Sequence, residues 1–204
     1  MNAPRNSMMG IESLIAFEAD IAAEFNAAKI RAPVHLAGGN ESALIRLFEI
    51  IRPTDWVFST WRSHFHALLH GIDPARIKAD IMAGKSIALC FPDHRFYSSA
   101  IVGGILPIAL GVAWSIKRNG GTERVWAFIG DMTARTGIAH EVRTYAGGFG
   151  LPLSIVTEDN GKSVCTDTRR VWATAPHDRT KPMHAAYSYE LPWPHSGAGK
   201  RVEF

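Results

Sequence analysis

The chain has 204 residues, 47% of them apolar, long enough for one domain with a substantial core. No apolar run reaches the length of a membrane span, and the net charge of +3 is spread along the chain with no basic block suited to nucleic acid. The two cysteines, Cys90 and Cys165, form no metal or redox motif, and residues 1–10 lack an apolar signal core, so a cytoplasmic protein is expected.

Ile11, Leu14, Ile15, Phe17, Ile21 and Phe25 recur at helical spacing and predict an Ala-rich helix over about 10–29. A loop, His35 to Gly39, leads to Asn40, a predicted N-cap with Glu41 in the first turn. The helix that follows carries Leu44, Ile45, Phe48 and Ile51 and stops at Pro53; residues 55–60 then read as a strand.

Trp61-Arg62-Ser63-His64-Phe65-His66 opens the next helix, which runs to His70-Gly71. The guanidinium of Arg62 offers a fixed fork of donors suited to phosphate oxygens, although a surface Arg can equally pair with a carboxylate. His66 and His70 share a helix face, but no third ligand has zinc spacing, so both are read as structural. His64 points elsewhere and is the candidate active-site histidine.

Asp73 and Pro74 start a further helix, which Gly84 ends, and 86–91 reads as a buried strand. Residues 92–99 read as an irregular connection. Ala100 to Gly104 then precedes an apolar, small-residue helix from Ile105, in which Gly103, Gly104 and Gly111 permit close backbone approach. Asn119-Gly120-Gly121 turns into the strand 124–129.

That strand closes on Gly130-Asp131, a helix runs from about Gly137 to Tyr145, and a second strand, 153–156, closes on Glu158-Asp159-Asn160-Gly161. A strand–helix–strand unit of this kind makes its strands parallel and brings both polar clusters to their carboxyl ends, where open parallel sheets bind ligands. Asp131 and Asn160 then converge, a carboxylate and an amide oxygen suited to a hard divalent cation. Each cluster taken alone is also compatible with an ordinary turn.

Gly130-Asp131-Met132 through Glu158-Asp159-Asn160, with Gly137, Glu141 and Leu151-Pro152 between, resembles the motif of thiamine-diphosphate enzymes, and in particular the α subunits of 2-oxo acid dehydrogenase E1 components. The resemblance covers roughly 54–163, with Met132 and Asp159 departing from the usual Gly and Asn. It implies thiamine diphosphate and magnesium as cofactors, with Asp131, Asn160 and the Lys162 carbonyl as metal ligands. It assigns cofactor contacts to Trp61, Arg62, Ala100, Val102, Gly130, Asp131, Met132, Thr133 and Asn160, and a catalytic role to His64. The family's long histidine-bearing loop has no evident counterpart in 161–204, read as a shortened C-terminal segment of a single diphosphate-side domain. His177 or His184 stands in for that histidine, or both are loop residues.

The fold expected is three-layer α/β, with a mainly parallel sheet and helices on both faces. The function implied is the α-type subunit of an enzyme cleaving a 2-oxo acid. A split transketolase-like transferase acting on a ketose and a non-catalytic subunit are the alternatives. The resemblance also implies a β-type partner carrying the pyrimidine-binding domain, in an α2β2 assembly that meets it through 105–113 or the tail. A nucleotide-binding oxidoreductase is disfavoured, because Gly147-Gly148-Phe149-Gly150 follows a helix and precedes a strand, the reverse of the dinucleotide fingerprint.

Overall fold

The structure, a computed structural model, describes residues 9–172 and 186–195. His177 and His184 lie outside the described residues.

Helices α1 (Ile11–Asn26) and α2 (Glu41–Phe48) precede strand β1 (Trp56–Ser59), and α3 (His64–Leu69) and α4 (Pro74–Asp80) follow it. The expected cap of α4 is present, with Asp73 accepting a hydrogen bond from Ala75 N at 2.8 Å. The expected cap of α2 is not. The Asn40 side chain makes no cap bond and instead reaches Glu158 and Tyr187, each at 3.2 Å.

The stretch 86–91 departs from expectation. Ser86–Ala88 is a 3-10 turn, and only Cys90–Phe91 extends, as β2. Ser86 is turned inward because its hydroxyl meets the His64 ring at 2.9 Å. The connection 92–99 in turn holds a strand, β3 (Phe96–Ser98). Next come α5 (Ile105–Arg118), β4 (Val125–Gly130), the single turn α6 (Asp131–Ala134), α7 (Gly137–Gly148) and β5 (Leu153–Asp159). A small hairpin, β6 (Lys162–Ser163) with β7 (Thr166–Asp167), leads to α8 (Thr168–Trp172), and β8 (Ala186–Ser188) follows.

The main sheet has the order β2-β3-β1-β4-β5-β8, and only the edge pair β2–β3 is antiparallel. Phe128 and Val156 are register partners on parallel β4 and β5. Along β4 the side chains alternate between two cores. Trp126 and Phe128 pack with α1–α4, while Val125, Ala127 and Ile129 pack with α5 and α7. Both faces of the strand are therefore covered, which is why its sequence is apolar without alternation. This is the expected three-layer α/β arrangement.

The base of the sheet is tied at Asp55, which is fully buried. Its carboxylate accepts from Arg52 Nη2 at 2.7 Å, Arg124 N at 2.9 Å and Trp126 Nε1 at 3.3 Å. Burial alone would raise this carboxyl's pKa, but the hydrogen bonds outweigh it and hold the pKa below the ordinary value. No helix among the described residues is long and apolar enough to cross a membrane.

The chain leaves β1 toward β3 on one side and returns through α5 to β4 on the other. The strand order therefore reverses between β1 and β4. At such a switch point the two loops leave on opposite faces of the sheet and a crevice opens outside the strand ends.

Candidate functional site

A crevice lies at that point, about 670 Å3 including its open mouth. Trp61 and Arg62 enter from the loop after β1, Gly130, Asp131, Met132 and Thr133 from the end of β4, and Asn160 and Lys162 from beyond β5. Val102 closes one side. Sequence elements far apart in the chain thus meet because three parallel strands end together.

Arg62 is largely buried, and this burial lowers its pKa from the ordinary guanidinium value. Its Nη2 lies 3.1 Å from His195 Nδ1. Its Nε and the indole Nε1 of Trp61 are buried with no hydrogen-bond partner among the described residues. Buried donors without acceptors are costly, so a site that keeps two of them side by side suits an anionic ligand.

Asp131 is only 9% exposed. Burial raises its pKa, against a hydrogen bond from Thr168 Oγ1 to Oδ2 at 2.6 Å, and the nearby Asp159 charge raises it further. Asn160 Oδ1 accepts from Lys162 N at 3.0 Å, and Asp159 Oδ1 from Gly161 N at 2.9 Å. These short loops close the turn after β5, and Gly161 supplies its left-handed φ of 67°. A carboxylate destabilised by burial, in the same crevice as an asparagine amide, fits a hard cation. The described residues hold no group of three or more His, Cys, Asp or Glu able to bind a metal, so water or ligand oxygens would complete the shell.

Two expected site residues lie elsewhere. Ala100 is exposed on the turn before α5 and does not line the crevice. His64 is fully buried, with Nδ1 3.0 Å from each Glu18 carboxylate oxygen and Nε2 3.0 Å or less from Ser86, at 2.9 Å. Glu18 also accepts from Ala37 N at 2.9 Å. His64, expected to act in the site, is thus not among the residues that line the crevice. Helix α3 begins at this residue and turns it inward, where it ties α1 to the 86–88 turn and touches no crevice space. His66 and His70 are buried as expected, against Phe48 and Phe128 and against Phe48 and Phe96 respectively.

The crevice also holds residues the sequence reading missed, notably Thr60, Glu158 and Tyr189. Glu158 accepts from Asn40 Nδ2 and from the Tyr187 hydroxyl, and lies 3.3 Å from His66 Nε2. Burial and the Glu158 charge together push the Tyr187 hydroxyl pKa far up, so it stays a donor. Its place two residues before Asn160 is the only local signal for Glu158. Tyr189 and His195 carry no local signal, because β8 reaches the site only by pairing with β5.

The family described as "Dehydrogenase E1 component" matches residues 9–186. The pyruvate dehydrogenase E1 component subunit alpha of Rickettsia prowazekii is 29% identical over 164 residues, 76% of this chain and 50% of that protein. The protein of the same name from Zymomonas mobilis is 31% identical over 148 residues, 67% of this chain and 42% of its own. A mitochondrial form from Sus scrofa is 28% identical over 71% of this chain and 39% of its own. The chain thus spans half or less of the length of these relatives. A solved structure described as a thiamin diphosphate-dependent enzyme from Mycobacterium smegmatis aligns with a TM-score of 0.40 at 19% identity, over 57% of this chain and 19% of that one, a likeness too low to carry an argument.

Proposed function

The chain belongs to the dehydrogenase E1 component family, and from that premise we propose that its crevice binds the diphosphate of thiamine diphosphate through magnesium. Asp131, Asn160 and the Lys162 carbonyl are the protein ligands of the metal. Arg62 and Trp61 donate to phosphate oxygens, and Val102, Gly130, Met132 and Thr133 shape the walls. The observation that carries this reading is the pairing, in one crevice at the switch point, of two buried donors without acceptors and a carboxylate disfavoured by burial.

When bound, thiamine diphosphate supplies a carbon nucleophile for a 2-oxo carbonyl and a sink for the electrons left by decarboxylation. The chain's own part is to fix the diphosphate end. Arg62 and the metal ligands hold it, and the buried position of Asp131 keeps water from competing for the cation. The reaction proposed is the decarboxylation of a 2-oxo acid, as an E1-type oxidoreductase subunit working in the cytoplasm.

A β-type chain is the proposed partner, in an α2β2 assembly, consistent with the "subunit alpha" in the relatives' names. Apolar side chains beside the mouth favour such a contact: Ile101 is 72% exposed, Val102 55% and Ile108, on α5, 45%. Equilibrium dialysis of the purified chain against thiamine diphosphate, with magnesium and then with a chelator, tests the reading. Retention that needs magnesium supports it; equal retention in the chelator, or none in either buffer, counts against it.

A further inference from the structure

The segment 186–195 is built into the site. β8 pairs with β5, and Tyr189 N donates to Asp159 O at 2.9 Å. The segment crosses the Gly38-Gly39 turn at a distance only glycine allows: a Cβ on Gly39 would stand 2.0 Å from Glu190 O, and one on Gly38 2.8 Å from Pro192 Cγ. This crossing delivers His195 to Arg62 and sets it beside His35, with ring centroids 4.6 Å apart and the rings tilted by 57°.

A guanidinium only donates, so at 3.1 Å from Arg62 Nη2 the Nδ1 of His195 must be the acceptor. The imidazole is then neutral, with its proton on Nε2. Arg62 spends one N–H on a neutral base while its Nε stays without an acceptor. That is a weak use of a buried cation, and an anionic oxygen would be the stronger partner.

Several charged and titratable groups act on this cluster. Tyr189, Glu158, Glu18 and Cys165 act on Arg62, and His64 and Arg62 act on His35. Burial and the Arg62 charge hold His195 below the ordinary imidazole value, and burial with the same charge pushes His35 down to about 3.

We propose that His195 is a positioning residue for Arg62 whose protonation is linked to anion binding. It holds the guanidinium through a neutral Nδ1 while no anion is present, and takes up one proton from solvent when a phosphate-type dianion takes over the Arg62 N–H. The anion cancels the field of Arg62 at His195, and the protonated ring then adds a second cation beside the dianion. This deepens the diphosphate reading and rests on it. Binding then strengthens as pH falls through the window between the anion-free and anion-bound pKa of His195.

The test is an NMR pH titration of histidine ring resonances on the full chain, with and without inorganic sulfate, which keeps its charge through the range. His195→Gln identifies the signal and should make the pH dependence of sulfate affinity shallower. Without sulfate the His195 midpoint is expected below 6.5, and Arg62→Gln should raise it. Saturating sulfate should raise it by about one unit, a tenfold change in proton affinity. If sulfate binds and the midpoint does not move, the proton linkage is overturned while the anion site stands. If sulfate does not bind although Arg62→Gln moves the midpoint, the anion site fails, and the diphosphate reading with this proposal.

Discussion

Replacing His64 by Ala removes a side chain that lies in the core, 46 residues from its partner Glu18 in sequence. The change leaves the Glu18 carboxylate, 1% exposed, with Ala37 N as its remaining hydrogen-bond donor among the contacts described above, and frees the Ser86 hydroxyl. Removing one member of a buried pair of this kind costs about 3–5 kcal/mol. In a domain of this size each kcal/mol lowers Tm by about 2–4 °C, so a fall of about 6–20 °C is expected. Glu18→Gln keeps an acceptor for both His64 and Ala37 N and should cost less. The assay is urea and thermal unfolding followed by tryptophan fluorescence, beside a titration of thiamine diphosphate at a temperature where the variant is folded. Affinity per folded molecule should stay near wild type. Unchanged stability with lost binding would refute the core role and return His64 to the site.

Other perturbations separate site from scaffold. Arg62→Ala removes the buried donors facing the crevice, and since a hydrogen bond to a charged group is worth about 1.5–3 kcal/mol, diphosphate affinity should fall roughly 10- to 150-fold; Arg62→Lys should lose less, and equal affinities for all three proteins would place Arg62 outside the site. Gly39→Ala places a Cβ 2.0 Å from Glu190 O at a φ of +81°, and strain at that φ alone costs about 1–3 kcal/mol, so calorimetry should show lower stability and binding should weaken as the 186–195 segment shifts; a variant as stable as wild type would speak against the crossing. His70, 7% exposed, has its pKa pushed down to about 4 from 6.5 by burial. The unfolded chain therefore binds that proton first, and stability is lost as pH falls from about 6.5 to about 4, by roughly 3 kcal/mol in all. His70→Leu should flatten this part of a urea-midpoint profile, and an unaltered slope would show that His70 does not titrate there.

The parts of this fold written into local pattern are those where one residue's neighbours in sequence are also its neighbours in space. The β4 run Val125 to Ile129 needs both faces covered wherever it sits, and the turns at Asp131 and Asn160 follow from short-range hydrogen bonds. Phe96-Tyr97-Ser98 is a strand only because β1 lies alongside it; three residues carry too little pattern to declare it. Ser86 to Phe91 has strand-like composition, but the Ser86–His64 hydrogen bond bends its start. His64 stands two residues from Arg62, and the resemblance around that arginine made it an expected site residue, whereas its partner in the structure is Glu18 on α1. Tyr189 comes to the crevice, and His195 to Arg62, through pairing of β8 with β5, which no local feature of 186–195 encodes.

The central claim is that Asp131 anchors a magnesium–diphosphate. Asp131 lies at the end of β4 and carries a pKa raised by burial, so replacing it removes a group the fold does not need charged. Isothermal titration of thiamine diphosphate in magnesium buffer into wild type and Asp131→Ala measures this directly. The account predicts magnesium-dependent binding in wild type and none in the variant, with unfolding midpoints that differ little. A variant that binds as tightly as wild type, and as dependently on magnesium, would contradict it.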